Sequence, residues 1–239
     1  METRTIAELL DVPIGSPLGG YGARFDGSAS RYGGGLQASI GQMQALEARA
    51  LLLDNGEHPL MVIRLPIIFT DQSMHEGVAR MLEERTGKDW RDNLVISATH
   101  THSGPARLWP LPTQTVVPLG LLGAGDFSWW FYRHVTESAG RAALKALENP
   151  VDAKFGWTIV EDFDRDDMVA HDRRGETPPF DDNRILVLRV DDAAGTPLAA
   201  VMSFGMHGTD NLTRYMTGDV IGGAEYGLED ALGRRYGRH

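Results

Sequence analysis

Residues 93–105 read Asn93-Leu94-Val95-Ile96-Ser97-Ala98-Thr99-His100-Thr101-His102-Ser103-Gly104-Pro105, and this stretch decides both the fold and the candidate site. Its first half has the apolar character of a buried strand, and Gly104-Pro105 ends that strand. The two histidines stand two apart, and side chains at this spacing on an extended chain project to the same side. Imidazole is a common ligand of transition metals and titrates near neutral pH. The spacing therefore suggests a metal-dependent hydrolytic site, although two exposed histidines at a strand end give the same pattern.

The bulk composition excludes several classes of function. The chain has 239 residues, no cysteine and a formal net charge of −10. Because phosphate backbones are bound by basic faces, this charge argues against nucleic acid as a partner. The lack of cysteine excludes disulfides, thiolate catalysis and cysteine-ligated zinc, so a metal would be held by His, Asp, Glu or Tyr. We expect no transmembrane segment and see no signal peptide in Met1 to Asp11, and the localisation stays open.

The pattern of apolar residues predicts an α/β fold with a mixed β-sheet and flanking helices. Strands are predicted at 48–53 and 60–68 around Asn55-Gly56, at 94–98, at 153–160, and in a hairpin of 184–191 and 198–205. Helices are predicted at 74–86, 128–147 and 222–236, the first with a capping box at Ser73 to Glu76 and an end at Gly87. Strand, helix and strand over 60–98 indicate a βαβ crossover, and no linker divides the single α/β domain expected over residues 1–239.

Two predicted loops differ in composition, one rich in glycine and proline and the other apolar. The opening residues 12–22 are rich in Gly and Pro and predict an irregular loop. Residues 109–127 are too apolar for a solvated loop, so they either tuck under the domain or line a groove for an apolar substrate.

Three of the histidines, His100, His102 and His207, stand where an apolar strand ends and a glycine-containing loop begins. Sites in α/β sheets form at the carboxyl ends of strands, so we expect a metal there to draw His100 or His102 from one strand and His207 from another. Catalytic zinc usually takes three protein ligands and a water. Asp219 is the nearest acid after His207, and it would be a ligand or would orient an imidazole. We interpret His58 and His134 as surface or packing residues, His75 as part of the first helical turn and His239 as terminal, so none of these four is a candidate, while His171 stays open.

Five motifs together resemble the N-terminal part of the neutral/alkaline non-lysosomal ceramidase family. They are Pro17-Leu18-Gly19-Gly20-Tyr21-Gly22-Ala23-Arg24, Ala48-Arg49-Ala50-Leu51-Leu52-Leu53-Asp54, Ile96-Ser97-Ala98-Thr99-His100-Thr101-His102-Ser103-Gly104-Pro105, His207-Gly208-Thr209 and Thr217-Gly218-Asp219. The Thr-His-Thr-His-Ser-Gly-Pro segment is the specific one, and the resemblance covers nearly the whole chain.

The resemblance implies a zinc-dependent amide hydrolase of sphingolipid metabolism that cleaves ceramide-like lipids to a sphingoid base and a fatty acid. It implies that His100 and His207 bind Zn²⁺, that His102 faces the reacting amide and that Arg173, after Asp172, lines the site. Asp219 and Gly20 are assigned as residues that bind substrate or support the ligands. The family continues beyond this length, and its Glu and Tyr ligands follow there. We therefore expect the chain to be an N-terminal portion that carries half of a zinc site.

Two other interpretations remain open. The same metallohydrolase fold could act on another amide or ester, because function lives in the site and not in the fold. Alternatively, the chain is a truncated, non-catalytic domain whose histidines satisfy hydrogen bonds at strand ends.

Overall fold

The computed structural model describes residues 1–21, 30–33, 36, 38–109, 127–170 and 182–237. In chain order its elements are β1 (Glu2–Leu9), β2 (Gly41–Gln42), β3 (Glu47–Asp54), β4 (Leu60–Leu65), α1 (Gln72–Thr86), a 3-10 turn (Arg91–Asn93), β5 (Leu94–Ala98), α2 (Trp129–Ala146), β6 (Val151–Val160), β7 (Ile185–Asp192), β8 (Pro197–Phe204), β9 (Tyr215–Met216) and α3 (Asp219–Tyr236).

Seven of the strands form one mixed sheet in the order β5-β4-β3-β1-β6-β7-β8. Strands β4 and β5 are parallel and are joined through α1, which confirms the βαβ crossover. The other neighbours in this sheet are antiparallel, including the predicted hairpins β3-β4 and β7-β8. The short strands β2 and β9 pair in parallel as a separate ribbon. The α/β prediction with a mixed sheet and flanking helices is therefore confirmed.

The main core lies between one face of the sheet and helices α1 and α2. Residues at alternating positions of β3 and β4 point into it, as expected for strands with one buried face. The helices contribute residues at helical spacing, so their apolar stripes meet the sheet. The buried side chains of this layer include Ala48, Ala50, Leu52, Met61, Ile63, Leu65, Met74, Val78, Leu82, Phe131, Val135 and Ala139.

Strand β1 was not predicted, because its sequence Glu-Thr-Arg-Thr-Ile-Ala-Glu-Leu is too polar to indicate a central strand. It nevertheless pairs with β3 along its whole length, from Glu2↔Asp54 to Leu9↔Glu47. The buried hydroxyl of Thr3 also donates to the Leu52 carbonyl at 2.6 Å. The position of β1 thus depends on an apolar partner strand and not on its own propensity.

The predicted capping box at Ser73 is wrong, because the N-cap of α1 is Asp71. The Asp71 carboxylate accepts from the Met74 amide at 2.8 Å, and the Ser73 hydroxyl donates to Asp71 instead. An aspartate two residues earlier satisfies the same free amides of the first turn. The predicted end is confirmed, since Gly87 adopts the left-handed conformation with φ of 69° and its amide donates to the Glu83 carbonyl.

Two other predicted boundaries shift. Strand β4 ends at Leu65 and not at Ile68, so residues 66–68 belong to the turn into α1. Helix α3 begins at Asp219 and not at Gly222, which extends it by one turn toward the candidate site.

The strands β6, β7 and β8 diverge from the rest of the sheet. Strand β6 has ten residues, but only Asp152 and Val151 pair with β1, opposite Glu2 and Thr3. This half of the sheet touches the other half through a small second core of Leu51, Ala153 and Val190. The divergence matters because β5 and β8 are the two edges of the sheet, and each leads into a candidate histidine.

Candidate metal centre

His100, His102 and His207 converge on one point. One ligand nitrogen from each ring can be chosen so that the three atoms lie within 4.8 Å of one another. The Nε2 atoms of His102 and His207 are 3.1 Å apart. The ring centroids are 5.1 Å apart for His100 and His102, 4.7 Å for His100 and His207, and 4.9 Å for His102 and His207. Among the described residues, this is the group of His, Asp and Glu side chains that meets the geometry of a metal site.

The two histidines after β5 converge for a different reason than the one predicted. Strand β5 ends at Ala98, before both histidines, so their side chains do not share a side because of the alternation of side chains along a strand. His100 instead has a φ of 62°, in the left-handed region that non-glycine residues rarely occupy. Backbone strain of this kind gathers at functional sites, where the surrounding structure enforces it. The turn brings the two rings together edge to face.

The His100 ring is oriented by a backbone carbonyl. Its Nδ1 lies 2.6 Å from the Ile68 oxygen. Because a carbonyl only accepts, Nδ1 carries the proton and donates, which leaves a lone pair on Nε2. Metal-binding histidines are commonly held in this way, with the second nitrogen free to bind.

His207 reaches the same point from the opposite edge of the sheet, three residues after β8 ends at Phe204. The His102 amide donates to the Gly208 carbonyl at 3.3 Å, so the two loops also touch through their backbones. A side chain at Gly208 would lie 3.2 Å from the His100 carbonyl oxygen and 2.9 Å from the Ile221 side chain. Glycine is therefore what lets the two loops approach this closely.

Gly20 leaves the room that the His102 ring occupies. A Cβ atom built at Gly20 would lie 2.0 Å from Cγ and Nδ1 of that ring. The Gly20 amide donates to the His102 carbonyl at 3.0 Å, so the opening loop lies directly against the histidine. His102 is only 6% exposed as a result. Gly20 therefore lies against His102, and its role in the site stays a prediction.

Asp219 lies at the start of α3, buried, and its carboxylate organises the loop that follows His207. It accepts from the amides of Asp210 and Asn211, each at 3.1 Å, and from that of Val220 at 2.7 Å. Through these backbone amides, Asp219 stabilises the loop that follows His207. Whether it also acts on a ligand or substrate stays a prediction.

A buried polar network joins the two halves of the site. The Thr101 hydroxyl donates to the Thr217 carbonyl at 2.9 Å, and the Thr217 amide donates to the Ser103 carbonyl at 3.2 Å. The side-chain oxygen of Gln44 accepts from the Thr217 hydroxyl at 3.1 Å and from the Gly218 amide at 2.7 Å. Gln44 and Thr101 were not predicted from the sequence, and the only local signal was that Thr101 lies between the two histidines.

Ion pairs attach α3 to the sheet face opposite the main core. Arg49 and Arg64 lie side by side on β3 and β4. Arg64 pairs with Glu225, and Arg49 pairs with Glu229. Burial raises the pKa of Glu225 against the opposing effect of Arg64, and burial likewise lowers the pKa of Arg64. The cluster therefore carries a desolvation cost that its mutual attraction has to offset.

Two predictions fall outside the described residues. Arg173, assigned to the site by the resemblance, lies in 171–181, and His171 lies there too. Most of the apolar loop, 110–126, is also outside them, although Leu108 and Trp109 at its start are buried. Of the other histidines, His75 and His134 contact the backbone carbonyls of Leu94 and Leu10.

The donor set fits a zinc ion. Zinc binds imidazole nitrogen at 2.0–2.1 Å, so two ligands of a tetrahedral site stand about 3.3 Å apart. One nitrogen from each of His100, His102 and His207 lies within 4.8 Å of the others, which is wider than this separation but within reach of one ion. Imidazole nitrogen is a donor that catalytic zinc accepts from two or from three histidines.

The fold and the cluster define an α/β protein with a candidate three-histidine metal centre. No protein-family model matches the chain. It is 27% identical to the neutral ceramidase of Mycobacterium tuberculosis over 222 residues, which are 84% of this chain and 33% of that protein. It is 29% identical to neutral ceramidase A of Dictyostelium discoideum over 150 residues, 56% of this chain and 20% of that protein.

Solved structures share the fold. The crystal structure of neutral ceramidase from Pseudomonas aeruginosa matches with a TM-score of 0.74 at 17% identity, over 97% of this chain and 36% of that one. A ceramidase complexed with C2 matches with a TM-score of 0.73 at 17% identity, over 97% of this chain and 35% of that one. These comparisons confirm the resemblance to the neutral ceramidase family. The chain spans a third or less of the length of the Mycobacterium and Dictyostelium relatives.

Within the described residues, no helix is long and apolar enough to cross a membrane.

Proposed function

We propose that this chain supplies the histidine portion of a zinc-dependent amidohydrolase that cleaves the N-acyl amide of ceramide-like lipids. The observation that carries the proposal is the convergence of His100, His102 and His207 in a chain whose relatives are named neutral ceramidases. The products would be a sphingoid base and a fatty acid. The lipid substrate rests on the names of the relatives.

His100 and His207 are the proposed zinc ligands. The Ile68 carbonyl accepts from Nδ1 of His100, which leaves the lone pair of Nε2 for a metal ion, and the three histidines lie close enough to hold one. When bound, zinc polarises an amide carbonyl and lowers the pKa of water toward neutrality. The family resemblance implies a Glu and a Tyr as further ligands. His100 and His207 then provide the two nitrogen donors.

His102 is the residue proposed to face the amide. Its Nε2 is directed to the same point as that of His207, so it can hydrogen-bond the substrate carbonyl or the oxyanion that develops there. In the net reaction water adds a hydroxyl to the acyl carbon, the C–N bond breaks and the released amine takes the remaining proton. Gly20 supports this role by leaving space for the His102 ring, and Arg173 is proposed to line the same site.

Asp219 is proposed to position His207 indirectly. Its carboxylate holds the amides of Asp210 and Asn211, which follow His207 by three and four residues. A displaced loop would move the imidazole, and a shift of about 1 Å in a catalytic group can cost about 100-fold in rate.

The test combines zinc content with ceramide hydrolysis. Both are measured for the chain of 239 residues and for a version extended through the downstream reading frame. We expect about one zinc per chain, held more tightly by the extended version, and hydrolysis in the extended version only. His100→Ala and His207→Ala should each remove the zinc and the hydrolysis. His58→Ala, in the exposed hairpin turn, is the matched control and should change neither.

The alternatives give different results. Zinc that is retained in both alanine variants would refute the proposed ligands. If the protein binds zinc and hydrolyses simple amides or esters but not acyl-sphingosine, it is a metallohydrolase that acts on another substrate class. A protein without zinc in either version would be the non-catalytic domain.

A further inference from the structure

The opening loop is bonded along the chain segment that carries His102. The Gly19 amide donates to the Gly104 carbonyl at 2.8 Å, and the Ala106 amide donates to the Pro17 carbonyl at 2.9 Å. Leu18 forms an isolated bridge with Pro105. The segment 17–20 therefore runs antiparallel to 102–106, although more than 80 residues separate the two in sequence.

Tyr21 follows this segment and lies between the two halves of the site. Its ring packs beside that of His102, with centroids 5.5 Å apart and planes inclined by 57°. Its hydroxyl donates to the Thr209 carbonyl at 3.1 Å. The Thr209 amide in turn donates to the His207 carbonyl at 2.9 Å. One tyrosine, 1% exposed, thus contacts the ring of one histidine and the loop of the other.

We propose that Tyr21 is a positioning residue that sets the distance between His102 and His207. The two histidines belong to loops from opposite edges of the sheet, so no single element holds both. A functional constellation has to be held to within about 0.5 Å, which needs locked neighbouring side chains. A tyrosine ring is rigid and has two side-chain torsions, so a ring packed on one loop and a hydroxyl bonded to the other restrain their separation. The inference rests on the proposed function, in which these histidines surround a metal.

The test compares Tyr21→Phe with Tyr132→Phe. The first keeps the ring and removes the hydrogen bond to Thr209. The second also removes a tyrosine hydroxyl, which in this case donates to the Ser73 hydroxyl at 2.7 Å and joins α2 to α1. Cobalt(II) replaces zinc so that its visible absorption reports the geometry of the ligands. We expect Tyr21→Phe to raise the dissociation constant for cobalt about fivefold and to change the absorption spectrum. Tyr132→Phe should leave both unchanged.

A second measurement separates this inference from the proposed function. In the metal-free protein, selectively labelled histidines are observed by NMR, and Tyr21→Phe should shift the ring signals of His102 and His207 while Tyr132→Phe does not. If the wild-type protein binds no cobalt, either as the chain of 239 residues or in the extended version, but these shifts occur, the proposed function fails and the positioning role stands. If cobalt binding and the ring signals in Tyr21→Phe match the wild type, Tyr21 has no positioning role. Equal weakening of cobalt binding in both variants would also refute it, since the effect would then be one of general stability.

Discussion

Glycine is required at position 104 because another segment of backbone occupies the place of a side chain. A Cβ atom there would lie 2.3 Å from the Pro66 carbonyl oxygen and 3.3 Å from the Ile67 Cα. Both are backbone atoms next to β4, so they cannot rotate away as a flexible side chain would. The same segment, residues 66–68, includes the Ile68 carbonyl that orients His100. A displacement of this segment would therefore also affect the candidate metal centre.

We therefore expect Gly104→Ala to lower the free energy of unfolding by about 1–3 kcal/mol, the usual cost of overpacking. Gly156→Ala on β6 is the matched control, because nothing lies within 4 Å of a Cβ atom at that position. Its free energy of unfolding should stay the same or rise slightly. Urea denaturation measures both variants. Equal destabilisation of the two would show that the contact with Pro66 is not the cause.

At the scale of elements, helix α2 is fastened to β1 by charge as well as by apolar packing. The Glu8 carboxylate pairs with Lys145 at 2.5 Å and with Arg141 at 3.2 Å. The hydrogen bond from Lys145 is the largest cause of a lowered pKa of Glu8, and Arg141 acts in the same direction against burial. Strand β1, whose own sequence has weak strand propensity, is thus also held by ion pairs to α2.

This ion pair predicts a pH dependence with a definite sign. The folded protein holds Glu8 ionised more strongly than the unfolded chain does, so the contribution is present above the ordinary pKa of 4.5 and is lost as the pH falls through the lowered value. Glu8→Gln should therefore lower the free energy of unfolding at neutral pH by about 0.2–1 kcal/mol, as exposed pairs do. The difference from wild type should shrink at acidic pH, as the pH falls below 4.5 and through the lowered pKa of Glu8.

The control for this experiment is Glu84→Gln on α1. Glu84 is exposed and, among the residues described, takes part in no ion pair. Urea denaturation at both pH values should show no pH-dependent difference between this variant and the wild type. A constant effect of Glu8→Gln across the pH range would contradict the ionic contribution.

At the scale of the whole molecule, the site is assembled from the two edges of one sheet. His102 follows β5 and His207 follows β8, yet their Nε2 atoms are 3.1 Å apart. Strand β6 pairs with β1 at only two residues, so the half of the sheet that leads to His207 is joined to the other half over a short stretch. The buried bond from Thr101 to the Thr217 carbonyl then ties the exit of β5 to the start of α3.

Thr101→Val should test this connection, because valine keeps the shape and removes the hydroxyl. The Thr217 carbonyl and the Ser103 amide both contact that hydroxyl, so the free energy of unfolding should fall by about 1–3 kcal/mol. Amide hydrogen exchange should also accelerate in residues 207–219, where the tie is lost. Thr158→Val on the exposed strand β6 is the control and should change neither quantity. Unchanged exchange in 207–219 would show that the two halves are held together elsewhere.

The sequence by itself determined the local elements and the identity of the candidate histidines. Asn55-Gly56 predicted the β3-β4 hairpin, Gly87 predicted the end of α1, and apolar runs before His100 and His207 placed both at strand exits. Such features depend on turn geometry, capping and hydrophobic period within a few neighbouring residues. They can be predicted because the residues that cause each turn, cap or strand lie next to it in the sequence.

Only the tertiary structure decided that β1 is a central strand, that His100 adopts a left-handed conformation, and that Tyr21 lies between His102 and His207. Each depends on a partner far along the chain: β3 for β1, the Ile68 carbonyl for His100, and the loop after β8 for Tyr21. Register and packing across the sheet decide which distant segments pair. Neither can be read from the propensities of a few neighbouring residues.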